Sequence, residues 1–178
     1  MLKRLNIYLK EMYPVIPRLA LGFIVFFEIY FLVILTARVD SIAIGYQEVI
    51  ASITIFTFLM ALRIADEFKD RETDLKLFPN RPYPSGRVKT KDLVILLSFI
   101  SVVTIVLNLV FMNNRIYFAV LVLYGLAMSL WFFSRSKIQK SLLLALITHN
   151  PIQLIMNLYV ISYACIKYFC ISFAKSIF

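Results

Sequence analysis

Two cysteines, one histidine, one tryptophan and four glycines leave this 178-residue chain little material for several kinds of chemistry. Cys165 and Cys170 stand five apart in one apolar run, so on a helix they point to different sides and do not pair. They read as plain apolar side chains. With a single histidine and four glycines, no metal trio, nucleophile triad or glycine-rich phosphate loop can be assembled from known spacings. Acid is also scarce: ten Asp and Glu stand against nineteen Lys and Arg, a formal charge of +9. Asp92 is the last acidic residue, so residues 93–178 carry no carboxylate side chain.

Long stretches lack charge altogether. Between Arg18 and Arg38 the only charge is Glu28, and there is none between Asp92 and Arg115, Arg115 and Arg135, or Lys140 and Lys167. Each window is close to the roughly 20 apolar residues that a spanning helix needs, or exceeds it. Composition agrees, at 61% hydrophobic residues and a mean hydropathy of +0.84, far above a soluble domain. Period-2 alternation is missing from runs such as residues 93–111, which excludes β-barrel spans. The pattern predicts an all-α, polytopic membrane helix bundle of about five transmembrane helices, forming one integral membrane domain over residues 1–178. The spans fall near residues 19–37, 42–62, 93–112 and 116–133, with a fifth after Lys140. The first run is too long for a signal-peptide core and reads as an anchor that stays.

Basic residues predict the orientation. Fifteen of the nineteen lie in residues 1–18, in the 63–92 connection and around residues 135–140, which all fall on one side. The positive-inside rule places that side in the cytoplasm, with the amino terminus and the acidic loop, in a bacterial-type plasma membrane. The positive charge is thus a topology signal, and nucleic acid is excluded as a partner because no basic soluble face exists. Residues 1–18 form an amphipathic lead with Leu5, Tyr8, Leu9 and Met12 on one face. Glu28, near mid-depth, faces either a cavity or a partner, or else is a protonated or hydrogen-bonded packing residue. Trp131, Phe132 and Phe133 suit an interfacial belt. In Thr148-His149-Asn150-Pro151 a catalytic base is possible, but a proline kink satisfied by His149 or Asn150 is favoured.

The 63–92 connection is the longest in the chain and the place where chemistry concentrates. Asp66, Glu67, Asp70, Glu72 and Asp74 put five of the ten acids into nine positions. On a helix Glu67, Asp70 and Asp74 stand at i, i+3 and i+7, and Asp66 four before Asp70, so most of them share a face. Such a face repels itself unless a cation gathers it, and Mg²⁺ takes oxygen ligands and bridges to phosphate. Interleaved Lys69, Arg71 and Lys76 support the plainer alternative of a solvated helix laced with ion pairs. Pro79, Pro82, Pro84 and Gly86 then stiffen a turn that brings Arg81 and Arg87 back toward the membrane surface. Guanidinium groups pair with phosphate through two parallel bonds, so both are candidates for diphosphate contacts; the alternative is a topology charge.

The segment Asp66-Glu67-Phe68-Lys69-Asp70-Arg71-Glu72-Thr73-Asp74, followed by Arg81-Pro82-Tyr83-Pro84-Ser85-Gly86-Arg87, resembles the first aspartate-rich signature of the UbiA-type intramembrane prenyltransferases. The family pattern is Asn-Asp-x-x-Asp-x-x-x-Asp at the cytoplasmic end of the second helix, then Arg-Pro-x-Pro-x-Gly. Asp66 and Glu67 are conservative departures, while Asp70, Asp74, Arg81, Pro82, Pro84, Gly86 and the basic Arg87 agree. The resemblance implies Mg²⁺ held by Asp66, Glu67, Asp70 and Asp74, with Asp70 and Asp74 catalytic and Arg81 and Arg87 binding the diphosphate. It also implies transfer of a prenyl group from a prenyl diphosphate to an aromatic or other lipophilic acceptor. The family uses about nine helices and a second acidic motif, whereas this chain matches the amino-terminal half only. The expectation is a truncated prenyltransferase, inactive alone, or one whose pocket a second subunit completes. The alternative is a non-catalytic membrane partner that keeps a divalent-cation and diphosphate half-site.

Overall fold

The computed structural model describes residues 1–39, 41–130 and 151–175. Every regular element among them is a helix: α1 (Leu2–Glu11), α2 (Val15–Thr36), α3 (Tyr46–Lys69), α4 (Arg71–Leu77), α5 (Thr90–Phe111), α6 (Arg115–Leu130) and α7 (Pro151–Lys175). Three of them, α2, α3 and α5, are long and apolar enough to cross a membrane. At 1.5 Å per residue, the 22 residues of α2 extend about 33 Å, slightly more than a hydrocarbon core. The architecture is that of a helical membrane bundle. The fourth expected span begins at Arg115, and its end falls outside the described residues, as do the 131–133 aromatic belt, the 135–140 basic loop and His149.

Local chemistry sets the helix ends. The second span starts at Tyr46, four residues later than expected, because Glu48 accepts the Gly45 N–H at 2.7 Å and caps the helix there. At the other end α2 closes with Arg38 in the left-handed region (φ 51°), where Arg38 and Val39 donate back to Leu35 and Ile34. Asp92 caps α5 by accepting the Lys89 N–H at 3.2 Å.

α3 is the central element, packed against both α2 and α5, while α7 rests on α2 and α6. Gly22 allows the first of these contacts: a Cβ there would lie 2.9 Å from Phe56 Cβ and 3.0 Å from the Ser52 carbonyl. Two apolar cores result. One joins Phe26, Tyr30, Ile55 and Phe58 to Leu121 and Tyr159; the other joins Tyr8 and Tyr13 of the amino-terminal lead to Met60, Ile64, Tyr83 and Leu93.

Buried polar groups are cross-linked between helices, as a membrane interior demands. Tyr159 donates to Asn108 (2.8 Å), Asn108 to Thr54 (2.8 Å), and Thr104 to Thr57 (2.8 Å). At the opposite end from the acidic connection, Glu48 is fully buried and accepts from Tyr30 (3.0 Å), Tyr163 (2.6 Å) and Lys167. Glu28 is exposed on the outer face of α2, so it does not serve as a packing residue.

Candidate functional site: a hollow beside the acidic connection

α3 carries the apolar span into the acidic cluster, but not as one continuous helix. It ends at Lys69, and Asp70 (φ −91°, ψ 9°) is the hinge from which the short α4 departs. The single carboxylate face expected from i, i+3, i+7 spacing is therefore split. Asp66 is half-exposed, 3.6 Å from Lys69. Glu67 is fully buried, with Oε1 accepting from Arg63 at 2.7 Å and Oε2 without a partner. Asp74, on α4, accepts from Arg81 through both oxygens at 3.1 Å.

The lead helix α1 closes over this region. Arg4 holds Asp92 through two bonds of 2.5 and 2.9 Å. Arg87 holds Glu11 through two of 2.7 and 2.9 Å and donates to the Asn80 carbonyl at 2.6 Å. This pairing keeps the Glu11 carboxyl below the usual carboxylate range. Between these clamps Tyr8 is fully buried, its hydroxyl unpartnered. Burial pushes the Tyr8 phenol well up, and the nearby Glu67 charge adds to that.

Of the residues singled out in the sequence, the structure brings Glu67, Asp74 and Arg81 into one electrostatic group, joined by Arg63. Asp66 lies at its edge, and Arg87 is turned to Glu11 instead. Hard carboxylate oxygens suit Mg²⁺ chemically, yet among the described residues no three His, Cys, Asp or Glu side chains gather closely enough to hold an ion. As placed, Glu67, Asp66 and Asp74 pair with Arg63, Lys69 and Arg81.

The feature missed from sequence lies on the other face of α3. Residues 57–69 of α3, 97–105 of α5 and 118–129 of α6 border a half-open hollow of about 590 Å³. Phe58, Phe68 and Phe118 are among its walls, and among the described residues Lys69, at the acidic end, is its one charged lining residue. Its lining on α3 recurs at i, i+4, i+7 and i+11 (Phe58, Leu62, Ala65, Lys69), a spacing indistinguishable in sequence from a core-facing stripe. Two of its walls nearly touch: Gly125 of α6 sits so near Phe58 of α3 that a Cβ would meet its ring at 2.8 Å.

Comparison with known proteins brings no match: no family model fits the chain, and no curated protein or solved structure is similar to it.

Proposed function

We propose that this chain binds a prenyl diphosphate, its tail in the hollow between α3, α5 and α6 and its head at the Lys69 rim, as the first-motif half of a UbiA-type prenyltransferase. The observation that carries this reading is a mostly apolar hollow whose charged lining residue among the described ones, Lys69, stands beside Asp66 and Asp70. Its volume lies in the range of small-ligand sites, and a few polar groups in an apolar wall are the usual recipe for orientation. Lys69 supplies a cation for the head, and Phe58, Phe68 and Phe118 supply faces that favour positive charge on an allylic tail. In this reading the acidic connection faces the cytoplasm, where soluble diphosphates are made available, and the acceptor is an aromatic or other lipophilic molecule.

A second reading has its own support. With no acid after Asp92 and with the carboxylates already paired to Arg63, Lys69 and Arg81, the chain suits a non-catalytic partner that binds the lipid and hands it on. One experiment separates the two. Purified protein in nanodiscs is given farnesyl diphosphate, Mg²⁺ and an aromatic acceptor, and pyrophosphate release is followed beside equilibrium binding. Binding that weakens in Lys69→Ala supports the shared premise. Turnover by the chain alone, lost in Asp70→Ala, establishes the enzyme and removes the partner reading. Binding without turnover, with or without Mg²⁺, establishes the partner. Absence of binding to any prenyl diphosphate overturns both.

A further inference from the structure

Glu28 stands at the middle of the first span, ten positions from both Arg18 and Arg38. That is about 15 Å of helix each way, the half-thickness of a hydrocarbon core. From that depth a glutamate side chain reaches neither surface, and no water is at hand. The side chain is exposed on the outer face of α2, and among the described residues none hydrogen-bonds or ion-pairs with it. Its neighbours one turn away, Ile24, Val25, Phe31 and Leu32, are all apolar. In a bilayer this carboxyl meets lipid tails, which offer neither donor nor acceptor. Such a group is costly unless another protein segment covers it.

The surrounding surface fits a second helix. Ile24, Leu32 and Leu35, on the same side of α2 as Glu28, are 60–71% exposed. Along the adjoining edge Phe27 stacks on Phe23 and Phe31, with ring centres 6.3 and 5.4 Å apart, which holds those rings in place. The opposite side of the helix is already committed, with Gly22, Phe26, Tyr30 and Ile34 buried. None of the exposed residues borders the hollow, so covering this face and filling that space are independent.

A second copy of the chain supplies what Glu28 lacks. Copies enter a membrane in one orientation, so a twofold axis along the membrane normal sets each residue of α2 opposite its counterpart at equal depth. Hydrocarbon favours a neutral carboxyl over a carboxylate, and a neutral carboxyl both donates and accepts. Two of them satisfy each other through a pair of O–H···O bonds, and polar pairs of this kind hold membrane helices together. Lys167 of α7, an alternative cationic partner in a copy, is already bound to Glu48 at the outer end. We propose that the outer face of α2 is a self-association surface. Two copies pair in parallel through Ile24, Phe31, Leu32 and Leu35, with the two Glu28 carboxyls hydrogen-bonded at the axis. The inference does not depend on the prenyl diphosphate reading.

The test uses the full chain in liposomes, labelled with donor or acceptor dye at the carboxyl end, and reads energy transfer as lipid is added to dilute the protein. Wild type should pair well above the level set by random collision. Glu28→Leu should weaken pairing about tenfold, and Glu28→Gln, whose amide also donates and accepts, by no more than about threefold. Oxidative cross-linking in a Cys165→Ala, Cys170→Ala background supplies the geometry. Ile24→Cys and Leu32→Cys should cross-link between copies, whereas Val25→Cys and Val33→Cys, on the side packed into the core, should not. A wild type that stays monomeric, or that pairs only with a different membrane protein, overturns the proposal. So does Glu28→Leu pairing as tightly as wild type, or cross-linking that favours positions 25 and 33.

Discussion

Gly22 and Gly125 offer a paired test of how this bundle is packed. A Cβ at Gly22 would lie 2.9 Å from Phe56 Cβ, 3.0 Å from the Ser52 carbonyl and 3.1 Å from the Phe56 amide nitrogen. Carbon atoms in contact prefer about 3.5–4.0 Å, so the carbon–carbon shortfall is about 0.6–1.1 Å. Two of those three neighbours are backbone, which cannot swing aside, so α2 must retreat from α3. Overpacking of this kind costs about 1–3 kcal/mol. Replacing glycine by alanine inside a helix offsets up to about 1 kcal/mol of that. A Cβ at Gly125 comes just as close, 2.8 Å, but to the ring edge of Phe58, which borders the hollow and has space to move into. The helix-propensity gain is common to both substitutions, so the difference between them isolates the packing. With the full offset the net cost is about 0–2 kcal/mol, so in detergent-solubilised protein followed by tryptophan fluorescence or circular dichroism Gly22→Ala should melt up to roughly 8 °C below wild type, at 2–4 °C per kcal/mol. Gly125→Ala should melt at or above wild type. Equal melting temperatures for the two variants would refute the backbone-contact argument.

Two further outcomes follow from charge placement. Glu48→Gln or Lys167→Met alone leaves a buried charge uncompensated and should cost about 3–5 kcal/mol, while the double substitution recovers much of that; a double variant no better than the worse single removes the claim of a coupled pair. Arg87 holds the folded Glu11 carboxyl below its ordinary value of 4.5, so this clamp stabilises above that pH and is lost as pH falls through the folded value. Melting temperature should therefore drop more steeply on acidification in wild type than in Glu11→Gln, and parallel curves would count against the clamp.

The spans were legible because charge is so costly in hydrocarbon that its absence marks them. Residues 19–37 and 93–112 as read from sequence overlap α2 and α5 closely. The start of α3 was misplaced because Gly45 and Glu48 make a cap that apolar pattern alone does not signal. Periodicity put the acids on one face by assuming an unbroken helix, and the turn at Asp70 separates Asp66 and Glu67 from Asp74. The choice of partners was hidden for a different reason. Arg4 with Asp92 and Arg87 with Glu11 are joined across 88 and 76 positions, and nothing local marks such pairs. Tyr8 read as one member of an amphipathic face, with no sign that its hydroxyl would lie buried beside Glu67. The hollow is a space rather than a residue pattern, so its walls looked like ordinary core.

The amino-terminal lead has a consequence for how the protein is made. α1 is made before α2 and α3, yet its two anchors, Asp92 and Arg87, lie beyond both of those helices in the chain. α1 thus settles only after residues 87–92 have emerged, and until then Tyr8, Tyr13, Ile64 and Leu93 lack their cover. A bulky tag fused close to Met1 would burden this late docking step, whereas the same tag on a long flexible tether would leave it undisturbed.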